Sequence, residues 1–409
     1  MGKKLLIISQ RFWPEDNDIN EIAQYFAENE VKVDVLCGQA MTEQGRFMEG
    51  YKLFGHKEET FGEINVYRAP EIKKQGSLQK RPLINYISFF ISSAFRIRAL
   101  KKNQYDAVFI YQTSPVFMGN AGYRLARKRN IRSVMFVHDL WPDAIYKELE
   151  IRDSVLKAVF KAVSKRAYKK ANRLVTSSVE TQKYLVRQIA DTPGRVAYVP
   201  AFSSGIYVPG KKDDRITQRF MGSFNLLYIG QIPADDSFDI FLDLAQKLIG
   251  AAVRDIRLIF VGEGEGYEDF KGLIDKRGLY DTVFAEGKVE KEKLPGYIFA
   301  ADAFIYAQKS DINISYKPPK KIIDFMGCAK PVIAAADAEG KEVIRKAACG
   351  LVSDPEDTQA LFENVMKIYK TPEEELKLMG QNGLAYQKEN YSLSRTADKI
   401  LDIIFPEEM

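Results

Sequence analysis

Tyr316-Lys317-Pro318-Pro319-Lys320-Lys321-Ile322-Ile323-Asp324-Phe325-Met326-Gly327-Cys328-Ala329-Lys330-Pro331-Val332-Ile333-Ala334 sets a basic cluster, a carboxylate and an apolar strand in one short stretch. The cluster opens what reads as a helix, Asp324 sits inside its first turns, and Lys330-Pro331 leads into the strand. That order suits a phosphate-bearing ligand. Free N–H groups at a helix N-terminus attract anions, and lysines there add charge. A carboxylate one turn further in can hydrogen-bond the two hydroxyls of a ribose. On spacing alone, an amphipathic helix with its charges in water fits the same residues equally well.

Outward from this stretch, both halves of the chain alternate short β-branched runs with helical patterns, the mark of parallel α/β sheets. Strands are predicted at Leu5–Ser9, Val33–Cys37, Ile64–Arg68, Ala107–Tyr111, Ser133–Val137, Arg173–Thr176 and Val196–Val199. A second set follows at Asn225–Ile229, Arg257–Val261, Thr282–Ala285, Ala303–Tyr306, Pro331–Ala335 and Leu351–Ser353. Between the sets, Pro200 to Asp214 is rich in Pro, Gly, Ser and charge and reads as an exposed linker. Three helical stretches follow the last strand, ending at Ser394–Phe405. A length of 409 residues favours two cores. The expected boundaries are 1–203, a linker at 204–222, 223–390, and a terminal helix at 391–409.

Composition excludes several classes. Three cysteines and two histidines cannot build a zinc cluster of the usual spacing, and the odd cysteine count argues against a disulfide framework. No apolar run reaches the roughly 20 residues that span a bilayer, and no leader pattern precedes Lys3. A cytoplasmic protein, peripheral on the inner membrane face, is the expectation. Val261-Gly262-Glu263-Gly264-Glu265-Gly266 follows a strand but is no dinucleotide fingerprint. The third glycine would fall at Tyr267, and two glutamates would repel a pyrophosphate. A tight turn explains these glycines equally well.

Three further segments carry chemistry. Arg11-Phe12-Trp13-Pro14-Glu15-Asp16-Asn17-Asp18 ends the first strand. Its Asp-x-Asp pair could hold a divalent cation, but two acids at a helix start are the commoner cause, and no metal is expected. His138-Asp139-Leu140-Trp141-Pro142-Asp143 follows another strand end, although a lone histidine is most often structural. Lys157, Lys161, Lys165, Arg166, Lys169, Lys170 and Arg173 come with no acid between them, while Leu156, Phe160, Val163 and Ala167 line another helix face. Cations also bracket the apolar Leu83–Phe95. Basic residues beside apolar ones suit an anionic membrane, whereas no motif for nucleic acid accompanies them.

The quoted stretch resembles the signature of retaining glycosyltransferases of the GT-B fold, the large family that includes bacterial surface-polysaccharide enzymes. Members read Pro-x-Lys-x-x-Glu-x-Met-Ala-x-Gly-x-Pro-Val-Ile. The matching residues are Pro319, Lys321, Asp324, Met326, Lys330, Pro331, Val332 and Ile333. Asp324 replaces the usual Glu, Ala329 the usual Gly, and Tyr316 a second Glu. The His138 segment looks like a signature of the surface-polysaccharide subgroup. The resemblance implies two Rossmann-like domains facing across a cleft, with the last helix bracing the first domain. It implies transfer, with retention, from a nucleoside-diphosphate sugar, uridine ahead of guanosine, to a lipid-linked or glycan acceptor. No cofactor is needed. Donor contacts are implied at Gly230, Gly262, Gly264, Val289, Lys320, Lys321 and Asp324. His138 would touch the donor sugar and Asp139 would orient it, with Trp13, Asn17 and Asp143 on the acceptor side. Gln231 stands where relatives often carry an Arg for the diphosphate, and Asp16, Asn17 and Asp18 where they carry glycines. These departures support a rival reading, a non-catalytic relative that binds or scaffolds.

Overall fold

The computed structural model describes residues 2–42, 44–74, 81–113, 115–142, 146, 153–189, 194–234, 238–310 and 318–406. The chain divides into two compact units, Met1–Ala201 with Leu393–Met409, and Phe202–Ser392.

The first unit contains β1 (Lys4–Ile8), α1 (Asp18–Glu28), β2 (Lys32–Cys37), β3 (Glu58–Phe61), β4 (Ile64–Arg68), α2 (Arg81–Arg96) and β5 (Ala107–Gln112). After these come α3 (Asn120–Arg129), β6 (Arg132–Val137), α4 (Ser154–Tyr168), β7 (Arg173–Thr176), α5 (Val179–Ile189) and β8 (Val196–Tyr198). The sheet order is β3-β4-β2-β1-β5-β6-β7-β8, parallel throughout except for the β3–β4 hairpin. Leu5 to Ile8 and Ala107 to Ile110 are wholly buried. Central parallel strands are covered on both faces, which is why their sequences run apolar without alternation. The terminal helix Leu393–Ile404 packs on α1, β5 and β6. Tyr25 donates to Asp398 at 2.8 Å, Arg132 to the Ile403 carbonyl at 2.9 Å, and Thr396 to the Pro200 carbonyl at 3.0 Å.

The second unit runs α6 (Asp214–Phe220), β9 (Phe224–Ile229), α7 (Asp239–Gly250), β10 (Ile256–Val261), α8 (Tyr267–Lys276), β11 (Val283–Gly287) and α9 (Leu294–Ala300). Next come β12 (Ala303–Ala307), α10 (Lys320–Met326), β13 (Val332–Ala335), α11 (Ala338–Ala347), β14 (Gly350–Ser353), α12 (Thr358–Tyr369) and α13 (Glu373–Asn390). Its six strands are all parallel, in the order β11-β10-β9-β12-β13-β14. This is the doubly wound order whose switch point, between β9 and β12, leaves a crevice at the strand C-terminal ends.

Two expectations need correction. Strand β3 is absent from the sequence reading because Glu58-Glu59-Thr60-Phe61 is a charged edge, the composition that blocks edge-to-edge pairing. The segment read as an exposed linker is partly buried. Phe202 and Tyr207 lie in the core of the second unit, and Lys211 N–H donates to the Pro295 carbonyl at 3.0 Å.

Candidate functional site

In the second unit the loops after β9 and β10 are tied backbone to backbone. Gly230 N–H donates to the Val261 carbonyl at 3.0 Å, and Gly262 N–H to the Gly287 carbonyl at 2.8 Å. Gly262 has φ +140°, and a Cβ there would lie 2.0 Å from the Gly230 carbonyl oxygen. Only glycine permits that approach. Gly264 serves the same zipping, since its Cβ would lie 2.1 Å from the Ile232 oxygen. Its place is therefore explained by loop packing. Val289 is half-buried in the loop after β11.

A cradle forms where Lys321 reaches these loops. A Cβ on Gly230 would stand 2.9 Å from Lys321 Nζ, so the missing side chain is the space that the lysine occupies. Lys321 Nζ donates to the Tyr207 hydroxyl at 3.0 Å and lies over that ring. Tyr228, whose hydroxyl donates to the Gln231 carbonyl at 2.9 Å, closes the other side. Burial pushes the Lys321 ammonium below its ordinary value, against the pull of Asp324. The ammonium hydrogen-bonds a neutral phenol, and the Asp324 carboxylate offsets the burial only in part. The helix itself adds little, because α10 has only seven residues.

The other two residues of the motif point elsewhere. Lys320 Nζ donates to the Phe202 carbonyl at 2.8 Å and covers that ring. Asp324 is 2% exposed, and its Oδ1 accepts the Ser204 N–H at 3.1 Å with Lys320 Nζ at 3.7 Å. Through Oδ1 the Asp324 carboxylate anchors residues 202–204. Tyr316, Asp235 and Asp236 lie outside the described residues.

In the first unit, β1, β5 and β6 end side by side where the strand order reverses. His138 is half-buried there, with its N–H on the Gln112 carbonyl at 3.0 Å. Its Nδ1 lies 3.5 Å from the Tyr111 hydroxyl. Asp139 does not orient the imidazole by any described contact; its carbonyl accepts from Gln112 Nε2 at 3.0 Å. Burial, then the carboxylates of Asp18 and Asp139, push the Tyr111 phenol well up. Trp141 is a core residue, packed on Tyr86, Phe117 and Phe160 and bonded through its backbone to the Tyr168 hydroxyl. Asp143 lies outside the described residues.

The loop after β1 rests on a buried network that pattern reading missed. Glu71, wholly buried, accepts from Arg11 Nη2 at 2.9 Å, Gln10 Nε2 at 2.5 Å and Asn85 Nδ2 at 2.7 Å. Burial pushes Glu15 up to about 7 despite Arg11 and the Met41 N–H. Trp13 stacks on Phe61 at 5.4 Å, and Asn17 is the N-cap residue of α1 with no cap bond from its side chain. The Trp13–Pro14 and Trp141–Pro142 peptides are both cis. Among the described residues, no group of three or more His, Cys, Asp or Glu could hold a metal.

Two helices of this unit carry apolar faces that the core does not cover. Ile87, Ile91 and Phe95 of α2 are exposed and line a groove of about 800 Å³ with Leu53 and Phe54. On the apolar face of α4, Leu156 and Val163 are exposed, Phe160 is half-buried and Ala167 is buried, and Val159 beside them is exposed. Among the described residues, no helix is long and apolar enough to cross a membrane.

Comparison with known proteins now decides the family. Residues 211–385 match the model for glycosyl transferases group 1, and residues 18–202 match that for glycosyltransferase family 4. The chain belongs to the glycosyltransferases of the GT-B fold. Among solved structures, a sucrose-phosphate synthase from Thermosynechococcus elongatus superposes with TM-score 0.70 at 16% identity, covering 98% of both chains. Anabaena Alr3699/HepE, solved in complex with UDP, gives TM-score 0.66 at 15% identity over 98% of this chain and 99% of that one. A Mus musculus chitobiosyldiphosphodolichol beta-mannosyltransferase is 26% identical over 144 residues. That match spans 34% of this glycosyltransferase and 30% of the mouse protein.

Proposed function

We propose that this glycosyltransferase moves a sugar, with retention, from a nucleoside-diphosphate sugar to a lipid-linked or glycan acceptor in surface-polysaccharide synthesis. The observation that carries the donor half is Lys321, a half-buried ammonium seated against Gly230 at the switch point of the second unit. A diphosphate adds counter-charge beyond the partial offset from Asp324, and its departure is aided by the same ammonium. Uridine diphosphate is preferred on the strength of HepE, which was solved with UDP. His138 hydrogen-bonds the donor sugar in this reading, with Tyr111 holding the ring. The acceptor meets Trp13 and Asn17. The exposed apolar faces of α2 and α4, beside their cations, hold the first unit on an anionic membrane where lipid-borne acceptors reside.

Calorimetry with uridine, guanosine and adenosine diphosphates tests the donor site. Lys321→Ala should weaken the preferred ligand by about 1.5–3 kcal/mol, the scale of a charge-assisted hydrogen bond. Unchanged affinity would remove Lys321 from the site. The anomeric form of the first product, followed by NMR, tests retention.

A second reading, a non-catalytic relative that binds or scaffolds, is favoured by Asp324, whose carboxylate is bonded to Ser204. Nucleotide binding without any hydrolysis or transfer of the sugar would support it.

A further inference from the structure

Helices α2, α3 and α4, with a 3-10 turn at Val116–Gly119, wall a recess of about 320 Å³ on the first unit. Phe90 and Phe117 form its floor, their rings edge to face at 5.6 Å. Arg124, Arg166 and Lys170 line it, and Lys170 Nζ donates to Asn120 Oδ1 at 2.9 Å. None of the three helices contains a single Asp or Glu. The whole chain carries 55 acids against 60 cations, so this absence is local and not a matter of composition. Among the described residues no carboxylate pairs with Arg124, Arg166 or Lys170. Burial first, and then Arg124 and Arg127, push the Lys170 ammonium below its ordinary value. Cations crowded into one recess repel one another until an anion joins them. Val163 lines the same recess, and Val159 is exposed one turn before it.

We propose that this recess binds a terminal phosphate monoester or a diphosphate, borne by a lipid or free in solution. The two guanidinium forks of Arg124 and Arg166 suit phosphoryl oxygens, with Lys170 and Asn120 as single donors. Phe90, Phe117 and Val163 meet the first carbons beyond the phosphate. The site lies in the first unit and does not depend on the donor reading. A lipid phosphate and a soluble diphosphate offer the same chemistry, so the test separates them.

The full chain is compared with Arg124→Gln/Arg166→Gln/Lys170→Gln and with Lys128→Gln/Lys157→Gln/Lys161→Gln, which removes equal charge outside the recess. Circular dichroism establishes that each is folded. Vesicles of phosphatidic acid are set against phosphatidylserine vesicles of equal surface charge, and inorganic pyrophosphate is titrated by calorimetry. The wild type should prefer phosphatidic acid, take up pyrophosphate, or both. The recess variant should lose that preference and that uptake by about tenfold, while the control, which weakens attachment to both lipids alike, keeps the preference and the uptake within about threefold. A loss confined to phosphatidic acid assigns the site to lipid, and one confined to pyrophosphate to a soluble ligand. Equal losses in both variants, or a wild type with neither preference nor uptake, would overturn the proposal.

Discussion

In the proposed reaction Lys321 has an electrostatic role and His138 a positioning one. Lys321 is held between Tyr207 and Gly230, so its ammonium is fixed before any ligand arrives. Preorganised charge of this kind is effective because nothing must reorient as a diphosphate departs. His138→Ala should retain its melting temperature and nucleotide affinity while losing most sugar transfer, because the ring's one described polar contact is a 3.5 Å approach to Tyr111. Thermal melts beside a transfer assay separate the outcomes, since a variant that unfolds would make the histidine structural. The motif pointed to Lys321 and His138. It did not make Tyr207, Tyr111 or Asp139's backbone role readable, because those depend on which segments fold against the strand ends. For Asp324 the motif gave the acid at the family position but not its bond to the Ser204 N–H, which depends on how residues 202–204 fold against the helix.

At the scale of elements, strand positions were legible because buried parallel strands are short continuous apolar runs, such as Leu226 to Ile229. The edge strand β3 was not, since solubility there requires charge. The turn from α10 into β13 explains a family preference. Ala329 has φ +56°, a left-handed conformation that costs a non-glycine residue about 1–2 kcal/mol. Glycine relieves that strain and loses part of the gain to unfolded-chain entropy. Ala329→Gly should therefore raise stability by about 0.5–1 kcal/mol, read from the midpoint of urea unfolding; a fall would show that the turn relies on the alanine methyl. The loop after β1 makes a prediction in pH. Glu15 holds its proton to about pH 7 in the fold, against an ordinary value of 4.5. Between those values the folded state binds more protons than the unfolded, so stability falls as pH rises through the window. Burial shifts Glu71 in the same direction. Glu15→Gln should flatten the decline in melting temperature between pH 4.5 and 7, and an unchanged slope would assign it to other groups.

For the whole molecule, the net charge of +5 says less than where the charge lies. Cations gather on α3 and α4 of the first unit and flank α2, while α2 exposes Ile91 and Phe95 and α4 exposes Val155 and Val159. The sequence showed the cations plainly. It left open whether Leu83–Phe95 is buried or interfacial, because periodicity gives a helix two faces and does not say which one the sheet covers. In the structure α2 turns Asn85, Tyr86, Phe89 and Ser93 inward and leaves its isoleucines outside. Membrane attachment through this surface therefore has two components that salt separates. Attraction between cations and anionic lipid fades as the screening length shortens from about 10 Å at 0.1 M to about 3 Å at 1 M. Apolar side chains entering the interface are not screened, at about 25 cal/mol per Å² removed from water. Co-sedimentation with anionic vesicles should thus be strong at low salt and reduced, but not abolished, at 1 M. Ile91→Ser/Phe95→Ser should remove the fraction that survives high salt and leave much of the low-salt binding. Equal pelleting with neutral and anionic vesicles would exclude charge as the cause. No pelleting under any condition would leave these faces for another partner.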